Sequence, residues 1–239
     1  LPVLEALLPA NIPLSIDTQK PELMREAAAA GAAMINDVNG FEAVGALQSV
    51  SGSDCAVCIM HKQGQPQTMQ QAPQYRDVVA EVDAYLHARM VAAEAAGIAP
   101  SRLVIDPGFG FGKTLEHNMS LLRELDRLVA AGVPVLAGLS RKSMIGALTG
   151  REVGDRVFGS VAAALIAVQR GAAIVRVHDV AATRSFYADK LGFSVLIHER
   201  MLMQEGGTVE HIFFDCGGGC ALAFMQWQSV PGVPAKYDC

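Results

Sequence analysis

Asp106 closes the apolar run Leu103–Ile105 and opens a turn with glycines at 108, 110 and 112, followed by Lys113 and Thr114. A carboxylate at the end of a strand can accept two N–H donors side by side, as carboxylates accept Arg. Glycines in the next turn let the backbone approach a ligand closely. Other apolar runs end the same way. Asp17 follows Ile12–Ile16, Asn36 and Asp37 follow Ala33–Ile35, and His61 follows Ala56–Met60. Ser140, Arg141, Lys142 and Ser143 follow the run that starts at Val133, and the run from Ala172 carries Arg176, His178 and Asp179. Arg176 and His178 are two apart, so on a strand both side chains point the same way.

Commoner motifs fail on spacing. A phosphate-binding G-x-x-x-x-G-K-[ST] loop ending in Gly112-Lys113-Thr114 would need glycine where Pro107 stands. Gly108, Gly110 and Gly112 give G-x-G-x-G, which lacks the third glycine of the dinucleotide fingerprint. Cys55 and Cys58 form C-x-x-C within an apolar run, where residues three apart face opposite sides of a strand, so metal or redox chemistry is not expected. No Ser-His-Asp or Cys-His pairing stands out.

The 239 residues are 51% hydrophobic and 18% charged with a net charge of -5, the balance of an enzyme domain with a sizeable core and not of a nucleic-acid surface. No apolar run approaches the roughly 18 residues of a membrane span, and Leu1–Ala10 lacks the basic start of a signal peptide. Five cysteines without framework spacing fit reduced thiols, and the cytoplasm is the expected address.

Segments of helical length separate the runs: about 21–30, 42–50, 74–96, 117–131, and 142–170 with a break near 150–154. The strand runs are apolar on both faces, as parallel strands covered by helices are. An α/β fold follows, with about six β/α units before residue 180. Polar residues at nearly every strand end favour a (β/α)8 barrel, whose active site collects the C-terminal ends of its strands, over an open sheet with one switch point. The expectation is therefore an incomplete TIM barrel over residues 1–180. After it, 182–191 suggest a short helix, and 193–201, 209–214 and 221–227 alternate like antiparallel strands. With 174–177 as first strand, residues 181–239 complete a small β-α-β-β-β module that ends in a loop-like tail at 230–239.

Together, the segments Ser15–Pro21, Ile35–Val38, Ile59–His61, Asp106–Lys113, Ser140–Ser143 and Val175–Asp179 resemble dihydropteroate synthase in order and spacing across about residues 1–180. The resemblance implies a cytoplasmic transferase of folate biosynthesis. It condenses 6-hydroxymethyl-7,8-dihydropterin diphosphate with 4-aminobenzoate and releases pyrophosphate, with magnesium as cofactor, in a homodimer that is the target of sulfonamides. Asp17, Asn36, Met60, Asp106, Lys142 and Arg176 would bind the pterin, with Asp106 on its guanidine-like edge. Phe111, Arg141, Lys142 and Ser143 would bind aminobenzoate. Arg176 and His178 would hold the diphosphate, so that Lys142, Arg176 and His178 form the catalytic set. Positive charge there meets the charge that builds on the departing oxygen. The family's asparagine metal ligand belongs to β/α units that would precede Leu1, which leaves the metal ligands unassigned and leaves two edges of an unclosed barrel in need of a partner.

Ala181–Phe193, Phe213–Asp215 and Ala223–Trp227 resemble the vicinal oxygen chelate superfamily of glyoxalases and bleomycin-resistance proteins. That superfamily's first-strand histidine would fall near Ala172, while Gln226 stands near its partner ligand. A ligand- or drug-binding protein of this type, or an inactive gene fusion, is the competing expectation. Simpler roles are expected elsewhere: helix caps for Asp37 and Asp179, solvated or capping positions for His87 and His117, a wet helix face for Glu81, Arg89 and Glu94, and solvated strand positions for His198 and His211.

Overall fold

The computed structural model describes residues 2–10, 12–65, 68–190, 192, 194–202, 208–215 and 221–227, and beyond residue 192 it describes the backbone alone. Helix and strand alternate: α1 (Pro2–Leu7), β1 (Ser15–Asp17), α2 (Pro21–Ala29), β2 (Met34–Asp37), α3 (Ala46–Ser51), β3 (Ala56–Met60), α4 (Val78–Ala95), β4 (Leu103–Asp106), α5 (Leu115–Arg123), α6 (Leu125–Val129), β5 (Leu136–Ala137), α7 (Ser143–Thr149), α8 (Val157–Gln169) and β6 (Ile174–Val175). Then come α9 (Val180–Arg184), a π-helical turn over Ser185–Lys190, and three strands, β7 (Ser194–Leu202), β8 (Thr208–Asp215) and β9 (Ala221–Trp227).

Strands β1 to β4 form one parallel sheet in sequence order, and β5 pairs with β6, also parallel. A parallel bridge between Ile105 and Val135 joins the two sets. Consecutive residues of β3, Val57, Cys58 and Ile59, are all fully buried, so apolar groups cover both faces. One face packs Ile35, Val57, Ile59 and Ile105 under Leu86, Leu121, Leu125 and Leu128 of the helices. On the other, Cys58, Val104 and Leu136 form a separate cluster with Met34, Ala56 and Ile174. This second face carries the site, because its residue parity is that of Asp17, Asn36, Met60 and Asp106: Asp17 is in register with Asn36, Asn36 with Cys58, and Met60 with Asp106.

Local chemistry sets the helix boundaries. Asp77 accepts from the N–H groups of Val79 at 3.1 Å and Ala80 at 3.0 Å, and Glu81 accepts from Arg76 and Asp77, so α4 starts at Val78 and not at 74. Such a cap contributes about 1 kcal/mol. Thr114 and His117 form a reciprocal capping box that opens α5. The helix expected from 42 begins only at Ala46, since Phe41 and Gly45 have φ of 58° and 82° and cannot continue a helix. The expected helix over 117–131 is broken at Glu124 into α5 and α6.

Two of the simpler expectations need correction. Asp37 caps a turn and not a helix, accepting from Asn39 N–H at 2.8 Å and Phe41 N–H at 2.9 Å. Arg89 does not lie on a wet face: its guanidinium donates to the carbonyls of Gly40 at 2.8 Å and Phe41 at 2.7 Å, tying α4 to that turn.

In the C-terminal part, β7, β8 and β9 form an antiparallel sheet, with β9 running beside β6 and α9 lying against β8 and β9. The expected β-α-β-β-β order is present in the backbone, with β6 next to both β5 and β9. The side chains of His198, His211 and Gln226, and the tail at 230–239, lie outside the described residues.

Candidate functional site

Asp17, Asn36, Asp37, His61, Asp106, Lys142, Arg176 and His178 sit at the C-terminal end of a strand or in the segment that follows it. Asn36 donates to Asp17 at 2.5 Å, joining β2 to β1. Its carbonyl Oδ1 is buried and has no partner. Asp17 also meets Arg176 at 2.7 Å, so the end of β6 reaches the end of β1. With 63% and 40% of these side chains exposed, the ion pair adds little stability and can exchange partners.

Asp106 is buried, and its Oδ1 accepts from Gly108 N–H at 2.7 Å. Burial pushes its carboxyl up to about 6, against that N–H and the charges of Lys142, Lys113 and Arg176, which pull it down. The Cys58 thiol, deeper on the same face, is pushed well up by burial, then by the Asp106 and Asp17 charges, with Arg176 opposing. Asp106 therefore lies within electrostatic reach of Lys113, Lys142 and Arg176, and Cys58 within reach of Asp106, Asp17 and Arg176.

The glycine turn lies against the end of β3 and the loop after it. Tyr75 donates to the Gly112 carbonyl at 3.1 Å, and Gln70 donates to that of Gly110. From α5, buried Asn118 accepts from Gly110 N–H at 2.8 Å and donates to the Thr114 carbonyl at 2.7 Å. Phe111 is turned so that the Lys142 ammonium stands 4.2 Å above its ring, a cation–π contact. Ser143 opens α7 immediately after Lys142 and is exposed. Met60, 2% exposed, is the register partner of Asp106.

Arg141 has a left-handed backbone, φ 57°, and its guanidinium holds Asp179 through two bonds of 3.0 and 2.5 Å. Asp179 precedes α9 but makes no side-chain cap there, because Arg141 takes its carboxylate. His178 is fixed through its backbone N–H, which donates to Ser140 Oγ at 3.1 Å. Burial lowers its imidazole pKa, followed by the Arg141 and Arg176 charges, with Asp179 opposing and Lys142 adding to the fall.

Asp17, Asn36, Met60, Asp106, Lys142, Arg176 and His178 are thus brought to one end of the sheet. Arg141 reaches the same end but is committed to Asp179. Sequence reasoning assigned no role to Lys113 or Asn118, although an asparagine on the buried stripe of α5 with Leu121 and Leu122 was a readable signal. A groove of about 670 Å3 opens at the opposite ends of β2 and β3, lined by Arg25, Gln48, Ser53 and Cys55 among others, and it holds none of these groups.

Among the described residues, no three His, Cys, Asp or Glu side chains stand together as a metal cage, and no helix is long and apolar enough to cross a membrane. A hard divalent cation needs no such cage where one or two carboxylates hold it together with the phosphate oxygens of a ligand.

This geometry agrees with the comparisons to known proteins. A dihydropteroate synthase of Escherichia coli K12 is 48% identical over 184 residues, covering 77% of this chain and 65% of the relative. The chain thus spans about two thirds of that relative's length. The dihydropteroate synthase of Xanthomonas albilineans, solved in complex with 7,8-dihydropteroate, superposes with a TM-score of 0.71 at 56% identity, covering 76% of this chain and 67% of the other. That of Thermus thermophilus in complex with 4-aminobenzoate gives 0.74 at 50% identity, with 77% and 72% covered. Two family models match, the pterin binding enzymes over residues 1–178 and the glyoxalase/bleomycin resistance protein/dioxygenase superfamily over 168–236, so the stretch with β6, Arg176 and His178 falls within both. The chain belongs to the pterin binding enzyme family, with a glyoxalase-type segment following the pterin-binding part.

Proposed function

We propose that this chain binds a dihydropterin diphosphate and joins it to 4-aminobenzoate, releasing pyrophosphate and forming dihydropteroate. The observation that carries the reading is a buried polar pocket with an unused acceptor: Asn36 Oδ1 has no partner, and the Asp106 carboxylate accepts from Gly108 N–H through Oδ1. Unpaired buried acceptors cost about 1–3 kcal/mol each and are expected where a ligand completes them. The amino and N–H groups of a pterin edge are donors of that kind. Relatives solved with dihydropteroate and with aminobenzoate support the same substrates.

In this reading Asp106 and Asn36 take the pterin edge, Asp17 completes the pocket wall, and Met60 lies beneath as an apolar floor. Arg176 leaves its exposed pair with Asp17 to meet the diphosphate beside His178, stabilising the charge that develops on the departing oxygen. The amine of aminobenzoate then attacks the pterin carbon. Phe111 and Lys142 bound the second substrate, with Ser143 at its carboxylate and Arg141 steadying the 140–143 turn through Asp179. Magnesium would arrive with the diphosphate oxygens, since the described side chains form no cage for it. In fold terms, β1 to β6 are six β/α units of a (β/α)8 barrel that ends near residue 180, and the described residues after it belong to a second module, with β9 beside β6. The exposed apolar side chains Phe158 and Ile166, eight apart on α8, support a homodimer through that helix. Phe158→Asp should shift sedimentation toward monomer.

Pyrophosphate release from the pterin diphosphate, with and without aminobenzoate, tests the proposal. Release that depends on aminobenzoate and yields dihydropteroate supports it, and a purified chain that neither turns over nor binds the pterin overturns it. The pH dependence follows from Asp106. Its carboxylate is the acceptor, and its pKa in the free protein is near 6. Pterin affinity should therefore fall toward tenfold per unit below about pH 6, as the proton competes for the acceptor.

A further inference from the structure

The turn that carries Asp106 and Phe111 is closed by a buried ammonium. Lys113 is 4% exposed, and its Nζ donates to His61 Nδ1 at 2.9 Å, the Gly108 carbonyl at 3.0 Å and the Phe111 carbonyl at 3.1 Å. An ammonium has three donors, and all three are used. Gly108 thus links two charges, its N–H on Asp106 and its carbonyl on Lys113. The bond to Phe111 fixes the residue whose ring lies under Lys142. The third acceptor belongs to a neutral ring: burial and the Lys113 charge hold the His61 imidazole at about 3, and the ring meets Tyr85 edge-on at 4.9 Å. The backbone N–H of His61 in turn donates to the backbone carbonyl of Asp106 at 3.0 Å.

Taking an ammonium this far from water is expensive, and a loop could be closed more cheaply by an apolar side chain. What an apolar side chain could not supply is positive charge below the carboxylate. Resting on the pterin reading above, we propose that Lys113 is a positioning residue, holding the turn that aims Asp106 at one substrate and Phe111 at the other and favouring the Asp106 carboxylate over its acid form. Electrostatics agree with the geometry. Burial pulls the Lys113 amine down to about 7, with Asp106 opposing and Lys142 adding to the fall, which places it above the Asp106 carboxyl at about 6 and leaves the amine mostly charged at the carboxyl midpoint. The charged and titratable groups around Asp106 are Lys113 in its own loop, Cys58 from β3, Lys142 ahead of α7, Arg176 after β6 and, through Cys58, Asp17 at the end of β1.

The test is a carboxyl 13C titration of Asp106 in the free protein, assigned by loss of the signal in Asp106→Asn and compared in wild type, Lys113→Gln and Lys113→Arg. Lys113→Gln should raise the Asp106 midpoint by about one unit, the size expected for losing one nearby opposite charge, and Lys113→Arg should restore it. An unchanged midpoint in folded Lys113→Gln overturns the proposal, because a lysine that only closed the loop would leave the carboxylate titration where it was. If Lys113→Gln does not fold, 15N titration of the wild-type amine decides: Nζ must be charged while Asp106 ionises, and an amine already neutral there overturns the proposal. With pterin diphosphate added, the acid limb of binding in Lys113→Gln should move up with the carboxyl midpoint. A wild type that shows the carboxyl coupling but binds no pterin overturns the substrate reading and leaves the coupling standing.

Discussion

Asp106→Asn is expected to abolish measurable turnover while leaving the free protein at least as stable near neutral pH. The loss on the functional side is large because the carboxylate is the charged acceptor in a buried site. Exchanging it for an amide removes two charge-assisted bonds and presents an N–H to ligand N–H groups, about 3–5 kcal/mol or roughly a thousandfold in pterin affinity. On the stability side the sign is reversed. Burial raises the Asp106 pKa from 3.8 to about 6 in the folded protein, so the native state binds more protons than the unfolded chain between those values. Stability from this group is present at low pH and is lost as pH rises through that window, up to about 3 kcal/mol when it is complete. An asparagine can still accept from Gly108 and does not carry that burden. Lys113 loses its neighbouring negative charge in the variant and returns part of the gain. Calorimetric binding of the pterin diphosphate beside thermal melts at pH 5 and pH 7.5 separates the two effects, and the variant's advantage should appear at the higher pH.

Gly108→Ala should be the most damaging glycine-to-alanine change among the described residues. Gly108 has φ +66°, which a residue with a Cβ adopts only with strain, and the added carbon would stand 1.8 Å from the backbone carbonyl oxygen of His61. No side-chain rotation relieves a clash with backbone at the end of a core strand. Either the turn moves away, losing the Gly108 bonds to both Asp106 and Lys113, or β3 shifts. Strain and overpacking together put the cost at about 3 kcal/mol or more, visible as a drop in the urea midpoint together with loss of pterin binding. Gly132→Ala is the control, since its φ of +78° is similar but nothing lies within 4 Å of the added carbon.

Much of the site could be read from the residues because two local rules place it. Alternation along a strand puts Asp17, Asn36, Met60 and Asp106 on one face, and parallel register then aligns their strand ends. Capping by Asp77 and Thr114 is equally local. The groups that escaped are those whose partners are remote in sequence and chosen by packing. Arg89 reaches back to Gly40 and Phe41, Arg141 crosses to Asp179, and Lys113 finds His61. Nothing within a few residues of any of them marks the partner. The late start of α3 was likewise hidden, because Phe41 adopts a left-handed conformation only with Asp37 and Arg89 bonding the turn around it. At β6 the difficulty was different: one short strand lies beside β5 and β9 at once, and its sequence fits both surroundings.

A crystal structure of this chain with 6-hydroxymethyl-7,8-dihydropterin diphosphate bears most directly on the pocket. The expected complex has the pterin edge on Asp106 and Asn36 Oδ1 and the diphosphate between Arg176 and His178. A pterin bound elsewhere, or an Asn36 carbonyl satisfied within the protein while the pterin lies outside the ring of strand ends, would contradict it.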